Sequence, residues 1–327
     1  MRKFNVFLTR KIPEKAIDYL MQYNVNLEKN DEDRVLTKEE ILTGVKGKDG
    51  LICLLTDHID AEIMDAAGSQ LKIIANYAVG YNNIDVEAAT KRNIPVTNTP
   101  GVLTETTADL TMALLLAIAR KIVESDKYTR EGKFKGWGPL LHLGSDIFGK
   151  TIGIIGCGRI GSAVAHRAAS GFNMKVLYYD ITRHKDLEEK LNIEFCSLEK
   201  LLSSSDFVTL HIPLTNETKH LIDRNELSLM KDSAFLINTS RGAVINENAL
   251  VQSLSKKQIA GAALDVYEHE PELTPGLVNL ENVIITAHIG SASIETRTKM
   301  GLIAVENLLA VLNNQHPPNC INPQIFD

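Results

Sequence analysis

Short apolar runs alternate with amphipathic segments along almost the whole chain. Within residues 1–99, "FNVFLT", "GLICLL", "LKIIANY" and "IPVTN" are near-continuous apolar stretches of strand length. A strand that is apolar at every position is covered on both faces, the signature of a parallel sheet between helical layers. The intervening segments read as helices. "PEKAIDYLMQY" carries proline at its first turn, where the missing N–H is harmless. In "TKEEILTGV", Thr37 and Glu40 have the spacing of a capping box. "DAEIMDAAG" and "DVEAATKRN" complete the set.

A long apolar helix is predicted over roughly 103–120, followed by the polar stretch "YTREGKFKGWGPLLHLGSDIFG", which holds the single tryptophan, Trp137. A connection of that length is usually functional or covered by another surface. From Thr151 the alternation restarts, with "TIGIIG", "KVLYYD", "DFVTLHI", "AFLINTS", "AGAALDV" and "NVIITAH" as strands. Helices "EKLLSS", "RNELSLM" and "NENALVQSL" lie between them. The amphipathic helix in "ASIETRTKMGLIAVENLLAVLNN" is expected to return to the first unit. The pattern predicts an α/β protein with two doubly wound parallel-sheet domains, one over 100–290 and a discontinuous one over 1–99 and 291–327.

Bulk properties narrow the partners. The 327 residues are 44% hydrophobic and 23% charged, with a formal net charge of −6, so nucleic-acid binding is not expected. Cys53, Cys157, Cys196 and Cys320 are scattered, with no C-x-x-C and no histidine at ligand spacing. Reduced thiols and no metal site are expected. The apolar run "LTMALLLAIA" is bracketed by Asp109 and Arg120 and is too short for a bilayer span. "MRKFNVFLTRKIP" lacks the features of a signal peptide, and a cytoplasmic protein without membrane contact is expected.

Candidate chemistry begins at "TIGIIGCGRIGSAVAHRAA". Gly156, Gly158 and Gly161 stand in G-x-G-x-x-G register between a strand and a helix, the dinucleotide-binding fingerprint. The glycines make the turn, admit the pyrophosphate and let helix and strand pack closely, while the helix N-terminus, with Arg159 and Ile160, offers N–H groups to phosphate. The next strand ends at Asp180, about 20 residues on, where an acid takes the ribose hydroxyls of NAD and disfavours the phosphate of NADP. Ile181 and Thr182 follow, and Arg183, His184 and Lys185 keep NADP possible. His211 precedes Pro213 at another strand end, where it either rims the adenine pocket or is structural.

In a doubly wound sheet, ligands sit beyond the carboxyl ends of the strands. Three of those ends carry Thr239, Ser240 and Arg241; Asp265 with "EHE" at 268–270; and His288 with Gly290. An arginine fork, a carboxylate and an imidazole suit hydride transfer to a 2-oxo acid: the guanidinium grips the acid and the imidazole exchanges the proton. Neighbouring side chains on an extended segment point apart, so His269 is poorly served by Glu268 or Glu270, and His288 is the imidazole to pair. Spacing alone leaves either glutamate as its partner.

Together "GCGRIG", "INTSRGAVIN", "LDVYEHEP" and "AHIGSAS" resemble the D-isomer-specific 2-hydroxyacid dehydrogenase family over nearly the whole chain. "NYAVGYNNID" and "NTPGVLTETTADLTMALLLA" point to its glyoxylate/hydroxypyruvate reductase branch. The resemblance implies a Rossmann cofactor domain over 100–290, a flavodoxin-like substrate domain, and a dimerisation arm at about 121–149 containing Trp137. It places the family's arginine on Arg241, its glutamate on Glu270 and its proton donor on His288, leaving Glu268 and His269 as surface residues of the turn. It also implies substrate contacts at Leu55, Val79 and Gly80, with Thr107, Pro213, Thr239, Ser240, Asp265 and Gly290 near the cofactor. His58, His142, His166, His184, His220 and His316 read as surface residues. The implied protein is a homodimer using NAD, with NADP possible, to reduce glyoxylate or hydroxypyruvate. The alternatives are a reductase of another 2-oxo acid, such as 2-ketogluconate or phosphohydroxypyruvate, and an NAD-sensing regulatory protein.

Overall fold

The computed structural model describes residues 2–326, in two compact units: Met1–Leu103 with Ser291–Asp327, and Thr104–Gly290. The first unit is built on five parallel strands, β1 (Phe4–Leu8), β2 (Val25–Lys29), β3 (Gly50–Cys53), β4 (Ile73–Asn76) and β5 (Val96–Thr97). Their order β2-β1-β3-β4-β5 is flavodoxin-like, reversing between β1 and β3. Successive side chains go to opposite faces: Val6 and Leu8 meet helix Ile294–Leu312 through Val305 and Leu308, while Phe7 joins Ile41, Ile63 and Met64. That helix joins this unit by close contact, for a side chain added at Gly301 would sit 2.6 Å from Ala16 Cβ. Thr37 and Glu40 form the capping box, and Asp60, Asp85 and Ser293 cap three further helices.

The second unit holds seven parallel strands: β6 (Thr151–Ile155), β7 (Lys175–Tyr179), β8 (Glu194–Phe195), β9 (Phe207–Leu210), β10 (Phe235–Asn238), β11 (Gly261–Leu264) and β12 (Val283–Ile285). The order β12-β11-β10-β9-β6-β7-β8 is that of a Rossmann sheet, reversing between β6 and β9. Helix Thr104–Ala119 packs Ala108, Met112, Leu115 and Ile118 in one cluster with Ile237 and Ala263 of the sheet. On the opposite face Leu236, Ala262 and Leu264 meet Leu250 and Leu254 of helix Glu247–Ser255.

Both sheets carry an edge strand that the apolar pattern does not announce. β2 alternates buried and accessible positions instead of running apolar throughout, and β8 has only two half-buried residues. The segment after the long helix forms a further helix, Ile122–Arg130, with no buried residue. Among the described residues all four cysteines are free, no cluster could hold a metal, and no helix is long and apolar enough to cross a membrane.

Candidate active site

Three neighbouring strands of the second unit, β10, β11 and β12, end in the loops that carry Arg241, Glu270 and His288. His288 Nδ1 lies 2.8 Å from Glu270 Oε2. A carboxylate only accepts, so Nδ1 carries the hydrogen and Nε2 is the imidazole's outer nitrogen. Burial raises the Glu270 pKa, yet its hydrogen bond and charge interaction with His288, the Tyr267 N–H and the charge of Arg241 together hold it below the ordinary value. Glu270 is therefore an anion that orients the ring. Its second oxygen accepts the Tyr267 N–H at 3.0 Å, fixing the carboxylate within its own turn.

His288 sits in the left-handed region at φ 52°. That conformation is held from behind by buried Asp265, which accepts the N–H groups of Ile289 and Gly290 at 2.8 and 2.7 Å and the Thr286 hydroxyl at 2.6 Å. The Tyr267 hydroxyl donates to Thr286 O at 2.6 Å from the neighbouring loop. Two β11-end residues thus fix the β12 exit on which His288 rides.

Arg241 is set by the turn that follows β10. Asn238 accepts the Ser240 N–H and hydroxyl, and its amide donates to Arg241 O at 3.0 Å. Arg241 Nη1 donates to Ser240 O at 2.6 Å. Burial lowers the guanidinium pKa while the Glu270 charge opposes the shift, so cation and anion are near neighbours. At Gly242 an added Cβ would stand 1.8 Å from the Tyr267 carbonyl carbon, so only glycine lets the Arg241 turn lie directly on the Glu270 loop.

The dinucleotide fingerprint fits its ligand. Gly156 has φ +88°, a side chain at Gly161 would meet Gly156 O at 2.0 Å, and the space where Gly158 lacks a side chain is open. That open face is the room a pyrophosphate requires at the start of helix Arg159–His166. Asp180 accepts Cys157 N–H at 2.7 Å and Thr182 N–H at 3.1 Å, joining the glycine loop to the end of β7. Ile181 is almost fully exposed beside it. Arg183 pairs with Glu188, and a cavity of about 520 Å³ is lined by Ser162, Arg183, His184, Lys185, Asp186 and Lys190. At the sheet's reversal point, His211 Nε2 bonds Thr209, its Nδ1 is buried without a hydrogen-bond partner, and burial pushes its pKa down to about 3. Thr107 and Thr239 are joined through Thr111, and Thr107 donates to Gly290 O. Pro213 is exposed, its carbonyl accepting the Thr218 hydroxyl.

In the first unit, Asn98 and Asn76 donate to the carbonyls of Val79 and Gly80 at 2.8 and 2.9 Å, fixing this loop. Leu55 is exposed on a turn held by buried Asp57, which accepts the Leu54 N–H, and by Asn83, which donates to Leu54 O.

One reading of the 268–270 turn is corrected. His269 is exposed, but Glu268 is not a surface residue: its side chain is 10% accessible and lies 2.6 Å from His220. His220 is correspondingly half-buried, and so are His142, packed edge-on to Tyr128, and His184; His58, His166 and His316 are exposed. An acid next to a histidine looks solvated when only its neighbours in sequence are considered. The partner that buries Glu268 lies 48 residues away. Asn238, Tyr267 and Thr286 also escape a reading by residue type, because each acts through a main-chain contact that leaves no pattern.

Sheet order, glycine fingerprint and strand-end charges define an oxidoreductase built on a nicotinamide-binding scaffold. The chain belongs to the D-isomer specific 2-hydroxyacid dehydrogenase family, whose NAD binding domain matches residues 112–290. It is 51% identical over 326 residues to the glyoxylate reductase of Korarchaeum cryptofilum, covering 99% of this chain and 97% of that protein. A solved structure from Thermus thermophilus superposes with a TM-score of 0.90 at 49% identity, covering 97% of this chain and 99% of that one. The NADPH-dependent glyoxylate/hydroxypyruvate reductase of Sinorhizobium meliloti, solved with NADP and malonate, gives 0.84 at 30% identity over 98% of this chain and 97% of its own.

Proposed function

We propose that this chain reduces glyoxylate, and hydroxypyruvate beside it, to the 2-hydroxy acid, with His288 as proton donor. The observation that carries the reading is the 2.8 Å pair of His288 Nδ1 with an ionised Glu270, on a strand end close to the buried guanidinium of Arg241. Similarity at 51% identity to a glyoxylate reductase supports the substrate.

When bound, the reduced nicotinamide supplies the hydride that the carbonyl carbon receives. Arg241, planar and permanently charged, binds the carboxylate side of the substrate and polarises the carbonyl. His288 gives its Nε2 proton to the developing alkoxide while Glu270 holds the ring through Nδ1. Gly156, Gly158 and Gly161 would hold the pyrophosphate and Asp180 the ribose, which favours NAD. The cations at Arg183, Lys185 and Lys190, and the NADP-bound relative, keep NADP as a second cofactor. A cytoplasmic homodimer completes the reading, supported by the exposed Trp137 and Leu140 at 86% and 80% accessibility.

The test is NADH oxidation by the purified chain with glyoxylate, hydroxypyruvate, 2-ketogluconate and phosphohydroxypyruvate. Glyoxylate and hydroxypyruvate should give the highest kcat/KM. Tight NADH binding with no turnover of any of the four would instead favour an NAD-sensing role.

A further inference from the structure

The loop that presents Glu270 is anchored by a polar cluster that the chemistry above does not use. Glu268 and Glu247 exchange main-chain hydrogen bonds: the Glu268 N–H donates to Glu247 Oε1 at 2.7 Å, and the Glu247 N–H donates to Glu268 Oε2 at 3.2 Å. Glu247 Oε2 accepts the Thr274 hydroxyl at 2.7 Å, closing the far side of the same loop. Glu268 Oε1 faces His220 Nε2 at 2.6 Å. His220 is in turn tied to the segment after Arg241, its N–H donating to Ala243 O at 2.8 Å. The cluster spans residues 267–274 on one side and 241–247 on the other, the loops that bear Glu270 and Arg241.

Several features mark this as more than a helix cap. Asn246 already caps helix Glu247–Ser255 through the Ala249 N–H, so Glu268 is not needed to start it. Glu247 is buried at 2% exposure and the Glu268 side chain is largely covered at 10%, and carboxylates so placed need their partners. Burial raises the Glu268 pKa, but the His220 hydrogen bond and the Glu247 N–H outweigh it, holding Glu268 ionised. His220 adopts φ 53° to present its ring.

We infer that Glu268, fastened by His220 and by the N-terminus of helix Glu247–Ser255, is a positioning residue that sets where Glu270 meets His288. The inference rests on the proposed role of that pair. Glu268 acts by fixing a loop two residues from Glu270, and sub-ångström placement there controls how well the imidazole is oriented. Around Glu270 itself stand His288, the Tyr267 N–H and the charge of Arg241.

The test compares wild type with Glu268→Ala and Glu268→Gln, the latter keeping an oxygen for the Glu247 N–H. The His288 Nδ1 proton is followed by NMR as a reporter of its hydrogen bond to Glu270, its resonance identified by its loss in His288→Gln, alongside steady-state kinetics, NADH binding by fluorescence and thermal melting. Glu268→Ala should move or broaden that resonance, because a loosened Glu270 no longer holds the ring in one geometry. It should lower kcat about tenfold, part of the roughly hundredfold that a 1 Å displacement removes, with NADH affinity unchanged. Glu268→Gln should restore most of both. A Glu268→Ala protein with a lower melting temperature but the wild-type Nδ1 resonance would reduce Glu268 to a structural residue and overturn the inference. Should the wild type fail to reduce glyoxylate, the substrate assignment falls, yet the Nδ1 resonances still decide this proposal.

Discussion

Asp180 and His211 are single side chains at strand ends. Asp180 accepts two main-chain N–H groups, and as the proposed ribose contact it would repel a 2′-phosphate. In Asp180→Ser one of those hydrogen bonds can persist while the repulsion goes. The ratio of kcat/KM for NADPH over NADH should rise about tenfold or more, the scale of a removed like-charge clash; an unchanged ratio would remove Asp180 from cofactor choice. His211 is held at about 3 by burial, against an ordinary 6.5. Between those values the unfolded chain binds the proton and the folded chain does not, so stability falls as pH drops through this window. Urea midpoints at pH about 7.5 and 5.5 should therefore converge in His211→Gln relative to wild type; parallel losses would contradict a buried neutral imidazole. At this scale, the pairing of His288 with Glu270 was legible in part: the sequence named His288 as the imidazole to pair and left two glutamates open as its partner. Glu268 was misread, because its partners Glu247 and His220 lie 21 and 48 residues away in sequence.

Strand ends, rather than isolated residues, hold the cluster together, and Gly242 is where two of them touch. Alanine there would drive its Cβ into the Tyr267–Glu268 peptide. Gly242→Ala should destabilise the protein by about 3 kcal/mol, the upper part of the overpacking range, and disturb Arg241 and Glu270 together. A wild-type urea midpoint for this variant would mean that the two loops are not in contact. The interior strands were readable from sequence because each is an almost unbroken apolar run: "TIGII", "FLIN" and "GAAL" are buried throughout or nearly so. The edges were not. In β2 the alternation of Val25, Asn26, Leu27 and Glu28 reflects one face open to water, and two-residue β8 gives too little pattern to detect. The turn geometry of Gly242 was equally silent, since nothing in "SRGAV" tells which backbone lies against that glycine.

Across the whole molecule, two parallel sheets with reversal points at β1/β3 and β6/β9 give each unit one edge suited to ligands. That architecture follows from repeated strand–helix alternation, a signal distributed over the full chain and insensitive to errors at any one element. What alternation cannot encode is the segment at 121–149, where Ile122, Val123, Phe134, Leu143 and Phe148 are all exposed along with Trp137. Apolar exposure on this scale is expected to be covered by a second copy. Light scattering should give twice the chain mass, and Trp137→Ser with Leu140→Ser should shift it toward the monomer; a monomeric wild type would rule out the dimer.

Reduction of a 2-oxo acid needs a proton donor aimed at the developing alkoxide, the role proposed for His288. The most direct measurement is glyoxylate-dependent NADH oxidation by His288→Ala beside wild type, with NADH affinity determined on both. Turnover should drop by about two to four orders of magnitude with NADH binding preserved. A variant that retains turnover within about tenfold of wild type, well short of a lost general acid, would mean that the proton comes from elsewhere.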